Sequence, residues 1–147
     1  MQPMTEEQWR AFVLTGTRTA KLATHRADGR PHVTPVWFLL DDTADGRTEV
    51  VFTTWHASLK ARALLREPRF ALCVDDMEAP YAYVMLECTA RFTQDDPAQL
   101  REWATRIGGR YMGGELAQRY GERNSVPGEY LVRASIDHVI ARQGIAS

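Results

Sequence analysis

Val51-Phe-Thr-Thr-Trp-His-Ala-Ser-Leu-Lys-Ala-Arg-Ala-Leu-Leu-Arg-Glu-Pro68 decides the fold of this chain. It reads as an apolar strand that runs into two hydroxyl residues, Thr53 and Thr54, then a short polar turn, then a helix whose first residues include Ser58, Lys60 and Arg62. A helix start leaves backbone N–H groups free and carries the positive end of the helix dipole, so it attracts an anion. Hydroxyls, an ammonium and a guanidinium beside it would complete a phosphate cradle. The stretch is neither a Walker loop nor a dinucleotide turn, because it has no Gly-x-x-x-x-Gly-Lys and no Gly-x-Gly-x-x-Gly. The competing reading is a solvated amphipathic helix with Lys60 and Arg62 on its wet side, since charged residues are exposed by default.

Upstream, Thr5-Glu-Glu-Gln8 is a capping-box pattern that starts a helix burying Trp9, Phe12 and Val13 and ending at Gly16. Thr19 to His25 suits a strand, Asp28-Gly29 is a turn dipeptide, and Pro31 to Leu40 returns as the second strand of a hairpin. Asp45-Gly46 leads into Thr48 to Thr54, so these strands form an antiparallel meander. Downstream, Glu67-Pro68 stops the helix and Arg69 to Asp75 is a strand. Tyr81 to Thr93 is a longer one, with Val84, Leu86, Cys88, Ala90 and Phe92 facing the core. Asp95-Asp96-Pro97 opens a helix with Leu100, Trp103, Ala104 and Ile107 at helical spacing. Gly108-Gly109 and Gly113-Gly114 punctuate the chain after Ile107, Glu115 to Tyr120 is a further short helix, and Tyr130 to Ile136 closes the sheet. Six strands joined mostly as hairpins, with short helices between, argue for an antiparallel barrel.

The 147 residues are one domain's worth. A formal net charge of -1 gives no global field for nucleic acid or an anionic membrane, so any anion must be held locally. Cys73 and Cys88 lie in apolar stretches without Cys-x-x-Cys spacing and read as free core thiols. With no signal-like N-terminus and no apolar run of bilayer length, a soluble cytoplasmic protein is expected. His25, His32, His56 and His138 lack the spacing of a zinc site, and no Gly-x-Ser-x-Gly elbow or acid/base pair stands out. A bound redox cofactor would carry the chemistry without any catalytic side chain. Trp37, Trp55, Tyr81 and Tyr83 are candidate walls for such a group, or plain core aromatics.

The order of the hairpin through Asp28-Gly-Arg-Pro31, the strand ending Val51-Phe-Thr-Thr54, Lys60-Ala-Arg62, Arg66-Glu-Pro68 and the strand Tyr81 to Thr93 resembles the pyridoxamine 5′-phosphate oxidase-like flavin-binding split barrels. Ala71-Leu-Cys-Val-Asp-Asp76, Pro80-Tyr-Ala-Tyr-Val84, Tyr120-Gly121 and Val126-Pro-Gly-Glu129 look like the actinobacterial branch that uses the deazaflavin coenzyme F-420. The resemblance implies a mainly β (α+β) fold, a six-stranded antiparallel split β-barrel with short flanking helices, working as a homodimer with its cofactor sites at the subunit interface. It implies that His32, Val33, Thr34, Pro35, Val36 and Trp37 run beneath a tricyclic ring, that Thr53 and Thr54 lie beside it, and that Ser58, Lys60 and Arg62 hold the phosphate. Relatives often carry an arginine near Ser58; here the position is a serine, with Arg62 in reach as a substitute.

The activity so implied is hydride transfer from reduced F-420, an 8-hydroxy-5-deazaflavin, to a small or planar unsaturated substrate. Two alternatives remain: an FMN-dependent oxidase or reductase of the same fold, and a non-catalytic module that binds a flavin, deazaflavin or haem. The glutamate tail of F-420 would favour basic residues near the phosphate, a requirement that Arg62, Arg66 and Arg69 meet. Oxidation of pyridoxamine phosphate itself fits less well, because beyond Ile136 the only basic side chain of arginine or lysine type is Arg142.

Overall fold

The computed structural model describes residues 1–93 and 96–147. Asp95, part of the expected helix start, lies outside the described residues. The strands are β1 (Gln2–Pro3), β2 (Ala20–His25), β3 (Pro31–Val36), β4 (Leu39–Asp42), β5 (Thr48–Trp55), β6 (Arg69–Asp76), β7 (Ala82–Thr93) and β8 (Glu129–Gln143). The helices are α1 (Glu6–Val13), α2 (Leu59–Arg66), α3 (Pro97–Met112) and α4 (Ala117–Arg123). Every ladder is antiparallel, and the strands take the order β3-β2-β6-β7-β8-β5-β4, with β1 added on β8.

That path starts in β3 and ends in β4, which are consecutive in the chain and separated only by Trp37 and Phe38. The sheet thus curls until its two ends meet through one backbone, giving a split barrel in a mainly β, α+β setting. The expected single strand over Pro31 to Leu40 is broken at this junction, because its first half pairs with β2 and its second with β5. Counting the two halves as one stave gives the six strands expected; the break and the short β1 bring the segments to eight. Pro31 and Pro35 suit β3, which has β2 as its only ladder partner among the described residues, since an edge strand tolerates a missing N–H.

Alternation along the strands fills the barrel. On β7, Val84, Leu86, Cys88 and Ala90 are buried and Phe92 partly so, while Glu87 and Arg91 are exposed. Leu22, Val50, Phe52, Leu72 and Val132 join them in one core, which α1 covers with Trp9 and Val13. The capping box of α1 is formed: Gln8 N–H donates to Thr5 Oγ1 at 3.2 Å and Thr5 N–H to Gln8 Oε1 at 2.9 Å. On the other face of the sheet, Trp103 of α3 packs with Val51 and Leu131. Arg133 and Glu49 are buried here as well, and Arg133 donates to Asp41 at 2.8 Å and to Glu49 at 3.4 Å, so neither charge is left alone.

Two elements outrun the sequence reading. α3 spans 16 residues and continues through Gly108-Gly109, the pair expected to interrupt the chain. At Gly108 the lack of a side chain is what lets α4 close in, because a Cβ there would stand 2.7 Å from Cβ of Tyr120. The second excess is in β8, which passes Ile136 and runs to Gln143, pairing with β7 beyond an irregularity at Glu87/Cys88.

The last full turn of α3 holds the barrel's break in place. Arg110 donates to the carbonyls of Val13 (2.8 Å), Gly16 (3.0 Å), Arg18 (3.3 Å) and Phe38 (2.7 Å), and the Tyr111 hydroxyl donates to the Arg18 carbonyl at 2.8 Å. Phe38 N–H donates in turn to the Tyr111 oxygen at 3.3 Å. Backbone groups that lose their ladder partners at the junction are thereby served by side chains. Burial lowers the affinity of the Arg110 guanidinium for its proton and pushes the Tyr111 hydroxyl up from its ordinary value. Among the described residues no helix is long and apolar enough to cross a membrane.

Candidate functional site

β5 delivers two hydroxyls to opposite sides of the sheet, as neighbours on a strand must be. Thr54 shares the inner face with Val50 and Phe52, is buried, and has its Oγ1 2.9 Å from Ser58 Oγ. Thr53 shares the face of Val51, which α3 covers. The chain then turns at Trp55 to Ala57, anchored to the loop before β8 by His56 N–H donating to the Gly128 carbonyl at 2.8 Å. Ser58 is the N-cap of α2, its Oγ accepting the Ala61 N–H at 3.1 Å. The serine hydroxyl is therefore spent on the helix and on Thr54, while the first N–H groups of α2 stay free, as at any helix start.

This corner opens on a cleft of about 290 Å³. Pro35, Val36, Trp37, Thr53, Thr54, Ser58 and Lys60, all singled out from the sequence, line it together. Trp55, Ile107, Asn124 and Glu129 complete the wall. Trp37 is stacked on Tyr111 of α3, ring centroids 5.1 Å apart and nearly parallel, and tilts against Tyr120 of α4. Its position by the cleft is thus fixed from two helices, while Tyr81 and Tyr83 lie outside the cleft lining.

Arg62 goes elsewhere. Two residues apart on a helix is about 200° of rotation, so Lys60 and Arg62 cannot share a pocket. Arg62 instead lines a separate hollow with Arg26 and Arg66. Arg69 is paired with Glu67 at 2.6 Å and lines the neighbouring, larger trough together with Arg26 and Arg66. His32, Val33 and Thr34 also stand apart from the cleft. Val33 points outward and is 61% exposed. His32 and Thr34 point the other way, and His32 Nδ1 and Thr34 Oγ1 are buried without a hydrogen-bond partner, as are Thr24 Oγ1 and Arg26 Nε. All four atoms belong to the β2–β3 hairpin, Thr24 standing directly opposite His32. That hairpin carries more buried hydrogen-bonding capacity than the protein itself fills.

Glu129 is the residue that sequence reading missed. It is the first residue of β8, opposite Trp55 in the ladder, and its half-buried carboxyl faces the Lys60 cleft. Burial pushes its pKa up from the ordinary carboxylate value, against the pull of Lys60, Arg123 and His56. Its stretch, Val126 to Glu129, was recognisable, but nothing local marks the acid as part of a site built by a distant turn. The two thiols are free, and that of Cys88 is pushed up to about 12, by burial first and then by Asp137 and Glu87. Such a thiol is inert at neutral pH. A larger open trough, about 730 Å³, lies along the outside of β2, β6 and β7 beside Ala23, Ala71 and Glu87.

A family profile described as pyridoxamine 5′-phosphate oxidase matches residues 5–141. Among solved structures, the conserved hypothetical protein Rv2991 from Mycobacterium tuberculosis superposes with a TM-score of 0.77 at 26% identity, over 96% of this chain and 86% of its own. A protein named F420 reductase superposes with a TM-score of 0.66 at 22% identity, over 88% of this chain and 94% of its own. HutZ, a haem storage protein from Vibrio cholerae, does so at 0.68 and 18% identity, over 97% and 98% of the two chains. At these last two identities the likeness shows the fold alone. No curated protein matches the chain.

Proposed function

Because the chain belongs to the pyridoxamine 5′-phosphate oxidase family, we propose that it is a cytoplasmic oxidoreductase that binds a flavin-type cofactor in the Lys60 cleft and uses reduced coenzyme F-420 to deliver hydride to a small or planar unsaturated substrate. The observation that carries the reading is the meeting of Lys60 and the start of α2 with Trp37, Val36 and Thr53 in one cleft. The residues fit such a group. Among the described residues Lys60 has no carboxylate within ion-pair distance, so its ammonium is available to a phosphate alongside the free N–H groups of α2. The exposed Trp55 and Trp37, one face of which Tyr111 covers, wall the space for a planar ring, and Ile107 and Val36 exclude water beside it.

The bound cofactor would supply the hydride. The chain's part is to hold the phosphate at Lys60, to fix the ring's plane against β3 and Trp37, and to keep a dry space for the acceptor. Likeness to F420 reductase supports the choice of cofactor at the level of fold. Likeness to HutZ favours a second reading, a module that binds haem or a flavin without turnover. FMN in the same cleft would use the same phosphate contacts.

Fluorescence titration of the purified protein with F-420 and with FMN separates these readings. Tight binding of F-420, with reoxidation of its reduced form by an enone, quinone or tetrapyrrole acceptor, is expected. FMN binding without F-420 binding would replace the cofactor, and F-420 binding without turnover on any acceptor would favour the binding module.

A further inference from the structure

A pocket of about 320 Å³ opens between the start of α3 and the loop that leads into β8, and Glu129 is the one lining residue it shares with the Lys60 cleft. Pro97, Leu100, Val126, Pro127 and Tyr130 give it apolar walls. Its rim is tied down on three sides. Arg101 Nε donates to Ser125 Oγ at 2.9 Å and fixes the loop to α3, while His56 N–H, donating to the Gly128 carbonyl at 2.8 Å, fixes it to the turn after β5. Glu129 N–H donates to the Val126 carbonyl at 3.0 Å and closes the loop on itself. Gly128 is what lets the loop come so close, because its φ is +101° and a Cβ there would stand 2.7 Å from the Trp55 ring. The loop so anchored leaves Val126 44% exposed.

Most polar groups of the pocket are engaged within the protein. Asp96 accepts the N–H groups of Ala98 and Gln99, both at 3.1 Å, Thr93 Oγ1 donates to the Leu131 carbonyl at 3.4 Å, and Ser125 holds Arg101. Glu129 differs. Among the described residues its half-buried carboxyl has no cation within ion-pair distance, so a hydrogen-bond donor brought in by a ligand finds it open. Charge narrows what that ligand is. Asp96 and Glu129 turn away an anion, whereas Lys60, Arg123 and His56 stand near enough to Glu129 to offset its pull on an ammonium. A neutral molecule remains. The volume lies at the lower edge of the roughly 300–1,000 Å³ typical of ligand pockets, room for one or two fused rings, and walls that include Pro127 and Tyr130 favour a flat one.

We infer that this pocket is a ligand site of its own, separate from the Lys60 cleft, that takes a small, neutral, planar molecule whose N–H or O–H donates to the Glu129 carboxyl. The site needs no cofactor in the Lys60 cleft, so it and the cofactor reading stand or fall separately.

Nuclear magnetic resonance titration of the isotope-labelled full chain with indole, N-methylindole, indoleacetate and tryptamine tests the site. Indole is expected to shift the amides of Leu100, Val126 and Tyr130 saturably at millimolar concentration. N-Methylindole, which has lost its donor, should bind about tenfold more weakly, as should the anionic and cationic relatives. Glu129→Ala should erase the preference for indole over N-methylindole. Val126→Asp, at an open loop position where the fold tolerates it, sets a further negative charge in an apolar wall and should weaken indole about tenfold or more, while Lys60→Gln leaves it unchanged. No saturable shift at those amides, or a loss in Lys60→Gln that Val126→Asp does not show, overturns the site. Tighter binding of tryptamine or indoleacetate than of indole, or equal binding of indole and N-methylindole by the wild type, overturns the ligand class.

Discussion

Lys60 and Glu129 face one cleft with opposite charge, and their substitutions should move cofactor binding in opposite directions. Loss of a charge-assisted phosphate contact in Lys60→Ala should weaken binding by about 1.5–3 kcal/mol, roughly ten- to a hundredfold in Kd. Stability should change by no more than about 0.5 kcal/mol, because the side chain has no packing role beyond its stem. Arg62→Ala should leave the affinity for an FMN-sized ligand alone, since its side chain points to the other hollow. Equal losses in the two variants, measured by fluorescence titration, would put the phosphate somewhere that both reach. Glu129→Gln should tighten binding of a phosphorylated cofactor a few-fold, by removing a like charge worth on the order of 1 kcal/mol across the cleft. It should also alter the response to pH. Burial raises the Glu129 pKa above its ordinary value, so between the two values the folded protein holds a proton that the unfolded chain has released. Stability therefore falls as pH rises through that window, and Glu129→Gln should remove this step from denaturation midpoints taken over about pH 4 to 7. Sequence reading set Ser58 and Lys60 at one helix start, where they line the same cleft, because cap and cation arise from a local pattern. It grouped Arg62 with them because residue type was weighed without helical phase, and it passed over Glu129 because the distance that matters is across a ladder, opposite Trp55.

Elements were most legible where their signal is local. The capping box at Thr5 and Gln8, the Asp28-Gly29 turn and the N-cap of α2 all form as their residues require. Ser58→Ala should cost about 1 kcal/mol through the lost cap, with a further loss from the buried Thr54 hydroxyl that it leaves without its partner. Chemical denaturation measures the sum, and a cost near zero would mean that solvent reaches the helix start freely. The break between β3 and β4 was illegible for the opposite reason. Val36, Trp37, Phe38, Leu39 and Leu40 are continuous in apolar character, and what interrupts their pairing comes from Arg110 and Tyr111, far along the chain. Arg110→Met keeps much of the stem and deletes four donated hydrogen bonds. It should destabilise the protein by about 2–4 kcal/mol, because the carbonyls of the junction and of the end of α1 lose a charged donor. A loss under about 1 kcal/mol in urea unfolding would show that water replaces it.

At the scale of the whole molecule, strand parity brings together residues that the sequence holds far apart. Cys73 pairs with Met85 and Met85 with Ile140, so an apolar band crosses β6, β7 and β8 on the outside of the barrel, and it ends at Lys21 on β2. Trp37 does not belong to this band; it is held under α3 and α4. The band borders the open trough beside Ala23 and Ala71, and a trough of about 730 Å³ on a sheet face is space that a second surface can fill. The Lys60 cleft, at about 290 Å³, is smaller than the usual range for a drug-sized ligand and needs a further wall to enclose a tricyclic ring. A second copy related by a two-fold axis would supply both, since an isologous contact places the same face of each chain against the other. A formal charge of -1 offers little long-range repulsion between copies. Light scattering at micromolar concentration should therefore give the dimer mass for the wild type, and Met85→Arg, which sets a charge in the middle of the band, should shift it to the monomer. If the partner also walls the cofactor, the same variant should lose cofactor affinity while retaining its fold by circular dichroism. A wild type that scatters as a monomer would sink the assembly, and a monomeric Met85→Arg with unchanged affinity would separate the dimer from the site.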